Sequence, residues 1–190
     1  MRPVYIHSVV CLDQTDPPFG TLLSPLEARR MGRLLKRALW CATKALEEAS
    51  CPMPDAIITA TDYGCLINSE AFLGALKAGD IPRPTHFMQS THNTIGSLLA
   101  IRLGCHGYNA TYSHQGASWR SALSDAWMQI GLGDADTALV GWFDETTPAL
   151  VETDTRAQDR AVAVVLKASP EGAVGLLEDP LTSEHLIGEA

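Results

Sequence analysis

The sequence has no CxxC pair, and its five cysteines, Cys11, Cys41, Cys51, Cys65 and Cys105, are scattered and odd in number. That argues against a disulfide framework or a thiolate zinc site and fits a reducing cytoplasm. No run of about eighteen apolar residues occurs, so no segment is expected to span a membrane. The N-terminus lacks a charged, apolar and small-residue leader pattern and opens on a strand-like stretch. Basic residues are the scarcer charge, 14 Lys and Arg against 22 Asp and Glu, for a net charge of −8. Nucleic-acid binding needs clustered Lys and Arg, and is not expected. One basic cluster exists, Arg29, Arg30, Arg33, Lys36 and Arg37. Its helical spacing reads as a solvated face, or else as a docking patch for an acidic partner. His86, His92, His106 and His114 are dispersed without a metal-ligand motif, so no metal and no cofactor is expected.

What is present is ordinary for a globular chain: 190 residues, 46% of them hydrophobic. This suits a single domain over 1–190, or one half of a larger fold, with a tail from about residue 178 expected to be disordered. Residues 4–12 read as a strand and 13–23 as a loop. Ser24-Pro25-Leu26-Glu27 is a helix start with a capping box, and the apolar spacing from Met31 to Ala49 predicts one long amphipathic helix ending before Pro52. Further strands are expected at 55–60, 110–113, 137–142, 161–166 and 174–177. Helices are expected at 69–78, 92–103 and 119–130, with loops around Pro82 and Pro84 and between Asp144 and Asp159, the latter with room for a helical turn. Gly96 inside a helix points to close packing. Strands alternating with helices imply an α/β layered fold with a mixed, mostly parallel sheet flanked by helices.

In such folds ligands gather at the C-terminal ends of strands, where helix N-termini offer free N–H groups. The turn His114-Gln115-Gly116-Ala117-Ser118 lies there, where a nucleophile would be exposed beside an amide-lined oxyanion pocket.

Gly107-Tyr108-Asn109, Ala117-Ser118, Gly131-Leu132-Gly133-Asp134-Ala135-Asp136 and Ala138-Leu139-Val140-Gly141-Trp142 together resemble the N-terminal half of β-ketoacyl synthases. Met31 to Leu34, His92 to Arg102 and Arg160 to Leu166 resemble further elements of that family, so the resemblance covers roughly residues 4–177. It implies a thiolase-like half fold. The family's cysteine, counted on from Gly107, falls on Gly116. His114 and Gln115 replace the threonine and alanine before it. Glycine offers no thiol for acyl exchange. The family's two histidines and lysine belong to a C-terminal half beyond this sequence.

The resemblance is nearest to chain length factors, which also lack the cysteine, and among them to the short variety that accompanies aryl polyene ketosynthases. It implies a non-catalytic partner in fatty acid or polyketide biosynthesis. That partner would pair with a full-length ketosynthase subunit as a heterodimer, or with itself as a homodimer, and meet an acyl carrier protein. In the family the strand before the nucleophile pairs across the dimer axis. Here that strand holds Thr111, Tyr112 and Ser113. The segment corresponding to His86, Phe87, Met88 and Gln89 would reach the neighbour's acyl tunnel. Phe87 and Met88 read equally as local core. Gln115 either fills the former thiol pocket or bonds nearby backbone. Trp119 and Trp127 read as packing, or as interface aromatics. Two other readings stay open. One is an acyl-transfer enzyme with a relocated nucleophile, Cys65 or Ser118, and His114 as base. The other is a self-associating acyl-binding protein.

Overall fold

The structure is a computed structural model and describes residues 1–182. The apolar runs form one six-stranded sheet. In chain order the strands are β1 (Tyr5–Cys11), β2 (Ala56–Ala60), β3 (Tyr108–Tyr112), β4 (Thr137–Asp144), β5 (Arg160–Lys167) and β6 (Gly175–Leu176). In space they run β3-β2-β4-β5-β1-β6. The sheet is mixed, as expected, but its parallel part is smaller than the alternation implied. Only β3-β2 and β2-β4 are parallel, while β4-β5, β5-β1 and β1-β6 are antiparallel. The loop containing α7 (Pro148–Thr153) turns the chain back from β4 to β5, which makes that pair antiparallel.

The helices are α1 (Pro25–Arg30), α2 (Arg33–Glu48), α3 (Leu66–Ala78), α4 (Pro84–Met88), α5 (Thr94–Leu103) and α6 (Ser118–Leu132). β4 and β5 are buried on both faces, so they read as continuous apolar runs, and the period of two sorts them between two cores. Leu139, Phe143, Ala161, Ala163 and Val165 pack with α2 and α5. Val140, Trp142, Val162, Val164 and Leu166 pack with α6. Gly96 of α5 behaves as expected: a Cβ there would come within 2.9 Å of Asn109 Oδ1, and Asn109 Nδ2 donates to the Gly96 carbonyl at 3.0 Å.

Three expectations need correction. The single long helix is two, because Met31 and Gly32 are extended (ψ 133° and 164°). The capping box on Ser24 and Glu27 is present and serves only α1. The break starts α2 afresh, with Gly32 as its N-cap and no side-chain cap bond. The basic cluster is not a uniformly solvated face. Arg37 is 1% exposed. It donates to Asp16 Oδ1 at 2.7 Å and to the Asp13 carbonyl, while Arg33 bonds Asp16 at 2.8 Å and also Asp159. These bonds pin the loop before α1 against α2. Finally, the stretch read as a loop around Pro84 contains the short helix α4, with Pro84 at its start. Of the tail, Leu177 is buried, 178–182 form a turn-rich exit, and the remainder lies outside the described residues.

Candidate functional site

The parallel strands β2, β3 and β4 end together, with Ala60 level with Tyr112 and Trp142. Their exits bring Asp62, Tyr63, Gln115, Gly116 and Asp144 to the wall of a cleft of about 700 Å³. Its other walls come from Trp119 of α6, Trp142, Asp154, Arg156 and Arg160. Trp119 stacks on Trp142 with ring centroids 5.9 Å apart and 13° between planes. The Arg160 guanidinium lies 3.9 Å from the Trp142 ring centre. Burial lowers the Arg160 pKa below its ordinary value.

The expected nucleophile turn is where the sequence placed it. Gln115 (φ 34°) and Gly116 (φ 71°) both have left-handed backbones, and the Ala117 N–H closes the turn on the His114 carbonyl at 3.1 Å. This is the mirror-image turn class, which favours glycine at such positions. A Cβ at Gly116 would meet nothing within 4 Å, so the backbone angle, not space, is what calls for glycine.

The turn holds no free nucleophile. Ser118 is fully buried; its Oγ accepts the His114 backbone N–H at 2.8 Å, and its hydroxyl donates to Asp62 Oδ1. Ser118 thus meets the His114 backbone rather than its imidazole, against the relocated-serine reading. Asp62 Oδ1 also accepts the Gly116 N–H at 3.2 Å. A carboxylate from within the chain therefore fills the anion site at the start of α6. Cys65 fares no better: it is 1% exposed, and burial pushes its thiol up to about 12, with Glu145 and Asp144 adding to the rise. A thiol so high carries no useful thiolate near neutrality.

Asp144 is committed as well. It accepts from Thr61 Oγ1 (2.7 Å), the Asp62 and Tyr63 N–H groups (both 2.9 Å) and Trp142 Nε1 (2.8 Å). Burial raises its pKa above the usual carboxylate range despite these bonds. No group of three metal-ligating side chains converges among the described residues, and no described helix is long and apolar enough to cross a membrane.

The other expected residues lie away from the cleft walls. Thr111 and Tyr112 are on β3, the edge strand, and Ser113 follows it exposed. Thr111 Oγ1 bonds Thr59 Oγ1 at 2.8 Å. On α4, Phe87 and Met88 are 59% and 71% exposed, so they are not local core. Phe87 meets Phe72 of α3 with 5.4 Å between ring centres. His86 is half-buried, and Gln89 Nε2 donates to the Arg30 carbonyl at 2.7 Å.

The sequence matches the family model of the β-ketoacyl synthase N-terminal domain over residues 7–185. The chain belongs to that family. No curated protein matches it. Solved structures share the fold of this ketosynthase N-terminal domain. A chain from ketosynthase ApeO in complex with its chain length factor ApeC, from Xenorhabdus doucetiae, is 21% identical with a TM-score of 0.74, over 87% of this chain and 79% of that one. A chain from the ishigamide ketosynthase/chain length factor is 21% identical with a TM-score of 0.67, over 83% and 49%. A β-ketoacyl synthase from Burkholderia phymatum STM815 is 15% identical with a TM-score of 0.71, over 90% and 60%. The present chain thus spans less than two thirds of the last two.

Sequence reasoning missed two residues of this ketosynthase N-terminal domain, Asp62 and Asp144. Each directly follows or ends a buried apolar strand, and a carboxylate at that spot is the signal that marks it for backbone amides.

Proposed function

We propose that this chain is a non-catalytic, chain-length-factor-like partner of a full-length ketosynthase in fatty acid or polyketide assembly of the aryl polyene type. It would work beside an acyl carrier protein in the cytoplasm. The observation that carries the reading is Gly116, a residue without a side chain at the turn where the family places its cysteine. The internal Asp62 carboxylate on the same turn supports it, because the Gly116 amide, which could otherwise meet an acyl oxyanion, is already taken. The adjoining, exposed Phe87 and Met88 suit a channel shared with a neighbour, since aromatic residues and methionine are enriched where subunits meet. Two of the similar structures are named as ketosynthases with their chain length factors.

The test is co-expression with a full-length ketosynthase from the same source. The two are expected to purify as a complex, and Phe87→Trp or Met88→Trp is expected to shorten the product. A chain that stays apart from an active ketosynthase, with the product unchanged by its presence, would overturn the reading.

A further inference from the structure

The chain makes one excursion that joins neither core. No residue from 66 to 94 belongs to the hydrophobic cluster on either face of the sheet, although Cys65 and Ile95 on its two sides do. α3 and α4 make up most of that excursion. Asn68 is the one buried residue of α3, and α4 has none. The two helices pack on each other, with Phe72 against Phe87. Leu73, Leu76, Ile81, Phe87 and Met88 are each more than half exposed.

The excursion starts and ends at one point. Gly64 has a left-handed backbone (φ 68°), and a Cβ there would lie 3.3 Å from the His92 ring and 3.7 Å from its Cα. A segment closed at its base can swing away without disturbing the sheet it leaves. Away from the base, side-chain hydrogen bonds tie it to the body. The Glu145 carboxylate accepts the Ile67 N–H at 3.0 Å, Thr147 Oγ1 donates to Glu70 Oε1 at 2.5 Å, and Gln89 Nε2 donates to the Arg30 carbonyl at 2.7 Å. Burial of an apolar face is what usually fixes a helix to its domain; here polar contacts take its place.

We infer that residues 66–91 form a latched arm, which opens as one unit on its Gly64–His92 base while the sheet, α2 and α6 stay folded. Glu145 and the Thr147–Glu70 pair are the latch at α3, and Gln89 is the latch at α4. Phe87 and Met88 ride on the arm, so the latches set how firmly this exposed pair is held.

The Glu145 latch is sensitive to pH. The titratable and charged groups acting on it are Cys65 at the arm's base, Arg33 of α2 and Asp159, and Asp144 precedes it in the chain. Asp144 keeps its partners Thr61 and Trp142, which belong to the body. Burial outweighs the other influences and lifts Glu145 to about 7 in the closed arm. Opening hydrates the carboxyl, which then ionises near its ordinary 4.5. The closed arm therefore binds the proton more tightly. It is held most firmly below pH 4.5, loosens as pH rises to 7, and changes no further above that, by up to about 300-fold in the opening constant.

Hydrogen exchange of the full chain, read by mass spectrometry and corrected for the intrinsic rate at each pH, tests both parts. The amides of α3 and α4 are expected to share one level of protection, far below that of α6. Glu70→Ala and Gln89→Ala each remove one latch. Each is expected to speed exchange in both helices about fivefold and to leave α2 and α6 unchanged. The wild-type arm is expected to lose protection between pH 5 and 8, and Glu145→Gln to hold it constant. If Glu145→Gln does not fold, the wild-type pH comparison and the other two variants carry the test. The inference is overturned by α3 amides as protected as those of α6, by an effect of Gln89→Ala that stops within α4, or by wild-type arm protection equal at pH 5 and 8. The chain is tested alone, so the result is independent of the partner proposed above.

Discussion

The Glu145 carboxylate accepts the backbone N–H of Ile67 at 3.0 Å. Ile67 lies in the first turn of α3, whose N-cap residue Cys65 makes no side-chain cap bond. One buried acid thus caps α3 from the segment just after β4. Burial nevertheless raises its pKa to about 7.

This sets a pH dependence. The unfolded acid ionises near its ordinary value of 4.5 and the folded one near 7, so the folded state binds more protons between them. Stability is expected to fall as pH rises through that window, by up to about 3 kcal/mol, and to be flat on either side as far as this group is concerned. Glu145→Gln keeps an acceptor for the Ile67 N–H and removes the titration. Urea unfolding should show the variant level with wild type at pH 4 and more stable at pH 8. A residual slope of the same sign is expected from Asp144, whose pKa is also raised by burial. Equal stability at pH 8 would refute this account.

Gly116→Cys should fold and still fail to take an acyl group from a thioester. Space exists for the side chain, but the left-handed backbone is expected to cost about 1 kcal/mol, and Asp62 keeps the amide. Adding Asp62→Asn should raise the thiol's alkylation rate, read by mass spectrometry, because a negative neighbour is removed. No change in rate between the single and double variants would show that Asp62 does not govern the turn.

Thiol titration separates the five cysteines. Cys11 is exposed, whereas Cys41, Cys51, Cys65 and Cys105 are buried. A neutral-pH alkylating reagent is expected to modify one thiol per native chain rapidly and the other four only on unfolding. Fast labelling of Cys65 in the native chain would revive it as a nucleophile.

Arg37→Met should destabilise the chain by about 3 kcal/mol, since it strips Asp16 and the Asp13 carbonyl of a buried partner. Arg37→Lys should not rescue it, because a single ammonium lacks the fork that reaches both. The denaturant midpoint reads both changes. A midpoint shift of a few tenths of a kcal/mol would mean that the loop holds without the arginine.

The strands were legible because burial on both faces leaves long apolar runs, and the α6 start was legible because the turn before it is rich in small residues. The division between α1 and α2 was not. Apolar spacing continues across Met31 and Gly32, and nothing in that local pattern marks the two extended residues between α1 and α2. Arg37 was hidden in the same way: its spacing matches the exposed arginines, and only Asp16 and Asp13 folding over it make it core. At the site, the turn before α6 was readable from Gly116, whose left-handed backbone suits glycine. The Asp62 bond to that turn was not, because it joins the exits of two different strands. The antiparallel half of the sheet also escaped, since buried parallel and buried antiparallel strands carry the same apolar signature.

The grip of Asp62 on the turn also bears on descent. A lineage that lost only the thiol could recover it with one substitution. Under the function proposed above, Asp62 holds the Gly116 amide, and Ser118 depends on the same carboxylate for its hydroxyl bond. A return to thiol chemistry would then need changes at two sites, the first of which brings no benefit alone. That arrangement would act as a ratchet on a domain working without a nucleophile.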